Sequence, residues 1–280
     1  MSPRPRGRTR VVRHRETALP VPAAAREVHS ATPAADEGRP PLLFVPGLGA
    51  GAWVFAEHWL DHAAERGFPA YAMSLRGHGG SGPARRATLR AYVHDVVQVA
   101  AGLPRQAVLV GHGAGALVVA QALARYPARA AVLAAPVFGG PALAWRAVRY
   151  HPFGTVPALF GGALRLRRGQ LFSRELAAAA ARDYQRRMGR ASTLAQWQLL
   201  RPRPPEHPVG DPPVLVLGSP QDAVVSTGSL QRVARRYRGA PLLFPGMGHA
   251  LMLDARWQEP VDAMLDWLDK VSAGRARVSA

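Results

Sequence analysis

The chain has 280 residues and a mass of 30.0 kDa, with 48% hydrophobic and 19% charged residues, which excludes full-length disorder and fits one sizeable core. It has no cysteine, which excludes disulfides, thiol nucleophiles, iron–sulfur clusters and Cys-based zinc sites. The formal net charge of +18 comes from arginine scattered along the chain, Lys270 being the only lysine, with no RNA- or DNA-binding motif beside it, so no nucleic-acid partner is expected.

Residues 1–40 read as a basic disordered tail. Arg4, Arg6, Arg8, Arg10, Arg13 and Arg15 alternate with prolines and polar residues. No secretory apolar stretch follows, because Arg13, His14, Arg15 and Glu16 interrupt Val11–Ala25. No run reaches the ~20 apolar residues of a membrane span, so no stable membrane anchor is expected and the cytoplasm is the default location.

From residue 41 an alternation begins. Leu42–Val45 is a short apolar run ended by Pro46-Gly47 and reads as a buried strand. Trp53 to Arg66 has helical spacing, with Trp53, Ala56, Leu60 and Ala63 on one face. Ala70–Leu75 reads as a strand, followed by the loop Arg76-Gly77-His78-Gly79-Gly80-Ser81-Gly82. Thr88 caps a helix to about Leu103, Ala107–Val110 is a strand, Ala114 to Tyr126 a helix and Ala131–Ala134 a strand. The rhythm breaks over residues 139–208, which include the run Glu175–Arg182 and close on Pro202, Pro204, Pro205 and Pro208. This stretch reads as a helical lid, and Trp145, Phe153, Phe160, Phe172 and Trp197 within it are candidates to line an apolar pocket. Alternation resumes over 209–271, with strand Val214–Leu217, a helix near Ser229–Tyr237, strand Leu242–Phe244 and an amphipathic helix Trp257–Val271; residues 272–280 read as a C-terminal tail. Strand–helix repetition at this spacing predicts an α/β fold, a mostly parallel sheet with helices on both faces. Right-handed crossovers then put the loops that follow the strands on one edge, where ligands bind.

Four of those loops have recognisable content. They are Pro46-Gly47-Leu48-Gly49, Gly111-His112-Gly113-Ala114-Gly115, Gly218-Ser219-Pro220-Gln221-Asp222 and Pro245-Gly246-Met247-Gly248-His249. In content and order the chain resembles the α/β-hydrolase superfamily, its esterase and lysophospholipase-like branch, over about Leu42 to Leu268. The segment Leu75-Arg76-Gly77-His78-Gly79-Gly80-Ser81 resembles a loop common in these proteins. The resemblance implies that Asp222 and His249 are the acid and base of a catalytic triad, and that the amides of Leu48 and Ala114 form the oxyanion hole.

The chain departs from the pattern at the position of attack. The family motif is G-x-S-x-G, and the nucleophile position here is Gly113, between the retained glycines Gly111 and Gly115. Glycine tolerates a tight turn but has no atom with which to form an acyl-enzyme. Pro46 replaces the usual histidine of the first loop, a second departure. The expected ligand is a small apolar ester or carbonyl compound, and the expected chemistry is water-mediated hydrolysis or proton transfer without a covalent intermediate. A ligand-binding pseudoenzyme of the same fold is the alternative. No cofactor is expected, and no oligomeric state is assigned. Other residues carry weaker signals: His112 as a substitute catalytic group, Ser81 beside His78 as a relocated nucleophile, and His58 with His62 at a metal-compatible spacing that lacks the H-E-x-x-H glutamate, so that no metal site is assigned.

Overall fold

A computed structural model describes residues 21–84, 86–140, 145, 148–149, 151–159 and 166–279. Seven strands form one sheet in the order β1-β3-β2-β4-β5-β6-β7. They are β1 Val28–Ala31, β2 Leu42–Val45, β3 Ala70–Met73, β4 Val108–His112, β5 Ala130–Ala134, β6 Val214–Gly218 and β7 Leu242–Leu243. All neighbours run parallel except β1, which pairs antiparallel with β3, Val28 opposite Met73.

The central strands are apolar at consecutive positions because both faces of the sheet are covered. Leu42, Phe44, Val108, Val110 and Val132 join one buried cluster; Leu43, Val45, Leu109, Leu133 and Val216 join the other. The helices are α1 Trp53–Ala56, α2 Trp59–Glu65, α3 Leu89–Ala101, α4 Ala114–Ala122, α5 Pro152–Leu159, α6 Arg168–Leu171, α7 Ala178–Arg187, α8 Thr193–Leu200, α9 Thr227–Arg236 and α10 Gln258–Ser279. Thr88 caps α3, its hydroxyl accepting from the Ala91 N–H at 3.1 Å, and Ser226 caps α9 in the same way through Ser229. Among the described residues no helix is long and apolar enough to cross a membrane.

Several boundaries differ from the sequence reading. The helix expected over Trp53–Arg66 is divided at His58, whose backbone leaves the helical region at φ −146° and ψ −55°. The helix expected in Glu175–Arg182 starts only at Ala178, since Ala177 is extended at ψ 137°. Two segments assigned to tails carry regular structure. Residues 28–31 are β1, and α10 continues to Ser279. The β1 segment is held from the side: Ser74 N–H donates to Glu27 O at 3.0 Å, and the Glu27 carboxylate accepts from Gly80 N–H at 2.9 Å and from the Ser74 hydroxyl. Next to it the fully buried Asp95 carboxylate accepts from Arg76 Nε at 2.8 Å and from Arg26 Nε at 2.9 Å. Residues 1–20 of the expected tail lie outside the described residues, as does Phe160.

Candidate active site

The C-terminal ends of β2, β4, β6 and β7 deliver the candidate loops to one edge of the sheet, as parallel strands must. The loop after β7 carries His249 and the loop after β6 carries Asp222, both almost fully buried. His249 Nδ1 lies 2.8 Å from Asp222 Oδ2. A carboxylate only accepts, so Nδ1 donates in this contact, and in the neutral tautomer that this selects Nε2 keeps the lone pair. The second oxygen, Asp222 Oδ1, accepts from the Val224 and Val225 N–H groups at 2.6 and 2.9 Å, which fixes the carboxylate in its plane.

The two loops are also tied to each other. Ser219 Oγ donates to Met247 O at 2.7 Å, and Gly246 N–H donates to Gln221 Oε1 at 2.7 Å. Asp254, buried and absent from the sequence reading, holds the histidine loop from below. Its carboxylate accepts from Gly248 N–H at 2.6 Å and from the Ser173 hydroxyl at 2.5 Å. No motif marks it; its spacing of five residues from His249 is the one clue.

The turn between β4 and α4 is the tightest part of the site. Gly113 sits at φ +56° and ψ −123°, which L side chains rarely adopt. A Cβ on Gly113 would lie 3.4 Å from His249 Nε2 and 3.9 Å from Gly47 Cα, both ordinary contacts. The flanking glycines are required by space instead. A Cβ on Gly111 would come within 2.7 Å of Ala116 Cα, and one on Gly115 within 2.6 Å of Val45 O and closer still to Pro46 O. Among the described residues neither the Leu48 nor the Ala114 N–H has a hydrogen-bond acceptor, and both residues line the same cavity as Gly113 and His249. The Ala114 amide also opens α4, so the helix dipole adds partial positive charge there.

His112 lies beside this group, its ring centroid 4.9 Å from that of His249. Its Nε2–H donates to the His249 carbonyl at 3.0 Å, and its buried Nδ1 has no partner among the described residues. Burial first, and then the nearby His249, push its pKa down to about 3, so the ring is neutral and steadies the histidine loop.

The other candidates fall elsewhere. Ser81 Oγ donates to Ser74 O at 2.7 Å and accepts from Glu27 N–H at 2.9 Å, so it serves the β1 edge and is not a relocated nucleophile. His78 is buried edge-on against Tyr92, and burial lowers its pKa. His58 stacks on Trp257 at 4.6 Å, and His62 meets the same ring edge-on at 5.4 Å while pairing with Asp262 at 2.8 Å, so both imidazoles serve packing and an ion pair. Among the described residues no group of three His, Asp or Glu side chains is arranged to hold a metal.

The cavity over the site has a volume of about 1160 Å³. Of the aromatic residues expected to line it, the four that are described do not. Trp145, Phe153 and Trp197 are 70%, 87% and 52% exposed, and Phe172 is in the core. The apolar wall is aliphatic instead, with Val54, Val137, Leu171, Leu199 and Met252.

A family model described as the alpha/beta hydrolase family matches residues 42–265. No curated protein matches the sequence. Among solved structures the chain is similar to BpoC of Mycobacterium tuberculosis H37Rv, with 21% identity over 90% of this chain and 97% of that one and a TM-score of 0.69. It is similar to the monoacylglycerol lipase of Paleococcus ferrophilus, with 19% identity over 89% and 99% of the two chains and a TM-score of 0.64. It is also similar to a thermophilic esterase of Thermogutta terrifontis, with 20% identity over 89% and 93% and a TM-score of 0.63. At these identities the likeness is one of fold.

Proposed function

The chain belongs to the alpha/beta hydrolase family, and from that premise we propose that it binds an apolar ester or related carbonyl compound and acts on it through water, without a covalent intermediate. One observation carries the reading. His249 Nε2 faces the side-chain position of residue 113 at 3.4 Å, with its ring held at Nδ1 by Asp222, and residue 113 is glycine.

A water molecule at that position would stand where a serine hydroxyl stands in a triad. His249 Nε2 takes a proton from the water as its oxygen bonds to the carbonyl carbon. Asp222 stabilises the imidazolium that results. The carbonyl oxygen, now an oxyanion, accepts from the Leu48 and Ala114 N–H groups. Collapse breaks the bond to the alcohol oxygen, which takes the proton back from Nε2, and acid and alcohol leave. The same base can move a proton on a bound carbonyl compound. Serine triads that lose their nucleophile keep a residual rate of about a thousandfold over water, which sets the scale of turnover expected.

The absence of any attacking atom on residue 113 also favours a second reading, a pseudoenzyme that binds its ligand without turnover. The test is native protein with p-nitrophenyl butyrate and a fluorophosphonate probe. The expected result is slow steady hydrolysis without a burst, no covalent labelling, and a rate that His249→Ala lowers by about 10². A labelled serine overturns the non-covalent route. A rate that His249→Ala leaves unchanged overturns catalysis and leaves the pseudoenzyme.

A further inference from the structure

This inference rests on the proposed site and concerns what its ligand carries. Among the described residues four arginines line the cavity, Arg167, Arg182, Arg186 and Arg190, and no aspartate or glutamate does. The chain as a whole has 36 basic and 18 acidic residues, so four arginines at the chain-wide ratio would come with about two acids. Several arginines elsewhere are matched: Arg76 with Asp95, Arg66 with Asp262 and Asp266, Arg105 with Asp36, Arg256 with Glu259. In the cavity only Arg186 has an ion pair, with Asp183 at 2.9 Å. Among the described residues Arg167, Arg182 and Arg190 have none.

Local structure gathers these side chains. Arg182 and Arg186 are four apart on α7 and share a face. Gln185, between them, donates from Nε2 to Leu166 O at 2.9 Å, which docks the Arg167 segment on the same helix. After α7 the chain turns back onto the site: Gly189 N–H donates to Gly49 O at 2.7 Å. Arg190 is therefore tethered next to the loop that presents the Leu48 amide. The cavity thus has an aliphatic wall and a cationic side contributed by residues 167–190.

Guanidinium groups bind carboxylate and phosphate through paired, charge-assisted hydrogen bonds, and they repel cations. We infer that the ligand is an amphiphilic anion, an apolar body bearing a carboxylate or phosphate that Arg167, Arg182 and Arg190 receive while the body lies along Val54, Leu171 and Met252.

The test measures calorimetric affinity of the full chain in 50 mM salt for four ligands with one tail: decanoate, decyl phosphate, decanol and decyltrimethylammonium. The inference expects at least one anion to bind tenfold or more tightly than decanol, and the cation to bind more weakly than decanol. Whichever anion is tighter identifies the headgroup. The double variant R182A/R190A brings that anion to within about twofold of decanol, and R232A, on the exposed face of α9, leaves the preference intact. Equal binding of anion and alcohol overturns the inference, as does no binding of any of the four. Loss of preference in R232A equal to that in R182A/R190A overturns it too, because net charge would then explain the effect. The readout needs no turnover. Esterase activity gained by G113S reports on His249 and Asp222 separately, so either idea can fail alone.

Discussion

Gly113→Ser is the perturbation the geometry resolves most sharply. Its Cβ would have ordinary contacts, 3.4 Å to His249 Nε2 and 3.9 Å to Gly47 Cα, so no backbone has to move. A hydroxyl one bond beyond that carbon is then within hydrogen-bond reach of Nε2. The cost is conformational. A side chain at φ +56° and ψ −123° costs about 1–3 kcal/mol, equivalent to a melting point lower by about 2–10 °C. The gain is chemical. A triad serine is worth on the order of 10⁶ in turnover, and a misplacement of about 1 Å costs about 10². The expected rise in kcat/KM for p-nitrophenyl butyrate is therefore about 10³–10⁴ over the native chain. It should come with a burst of p-nitrophenolate near one equivalent and with fluorophosphonate labelling of the introduced hydroxyl. G113S/H249A should lose all three. A cooperatively folded G113S with less than a tenfold gain and no labelling would refute the claim that histidine and amides converge on this position.

Gly115→Ala carries a different expectation, because its Cβ would press on the carbonyls of Val45 and Pro46, which are backbone. It should destabilise by at least about 1–3 kcal/mol, read by denaturant melts, and abolish the gain of G113S when combined with it. Gly169→Ala meets nothing within 4 Å and serves as the neutral comparison. His112 gives a pH prediction. Its folded pKa is lowered to about 3, and an unfolded histidine titrates near 6.5. Between those values the unfolded chain binds one more proton, so stability is present above about 6.5 and falls as pH drops, by about 1.4 kcal/mol per unit from this group. Urea melts of His112→Gln between pH 6.5 and 4.5 should show a slope shallower by that amount. An unchanged slope would mean the ring is charged or exposed in the native state.

The parallel sheet was legible because strands covered on both faces consist of consecutive apolar residues, and Leu42–Val45 and Val214–Leu217 are short runs of that kind ended by Pro46-Gly47 and Gly218. The edge strand β1 was not, since Val28–Ala31 alternates between exposed and half-buried positions and lies in a proline-rich stretch. Its order comes from Glu27 and Asp95, tertiary partners that no local pattern announces. The start of α7 was illegible for a similar reason: Ala177–Ala181 has no periodicity from which to read a boundary. His249 and Asp222 could be paired in advance through the order of their loops, whereas Asp254 follows no motif. The cavity's character was hidden in both directions. Residue type does not say whether Trp145 or Phe153 faces inward, and in a chain with arginine throughout, the few that line the site do not stand out.

The turn at residue 113 does not depend on the side chain that it would present. Gly113 N–H donates to Ala134 O at 3.0 Å, and its carbonyl accepts from Ala116 and Val137 N–H at 3.2 and 2.9 Å. Gly111 and Gly115 supply the clearance, Asp222 and His112 hold His249, and Asp254 holds the adjacent Gly248. None of these contacts requires a hydroxyl, so under the proposed function glycine in place of serine would remove the attacking atom and relax the backbone while leaving His249 and the two amides in position. Stability and covalent chemistry are thus set against each other at one residue. The two effects of G113S, a lower melting point and a large gain in esterase rate, should therefore appear together. A variant that gained activity with no loss of stability would mean that the bend at 113 is unstrained, and that glycine there needs another explanation.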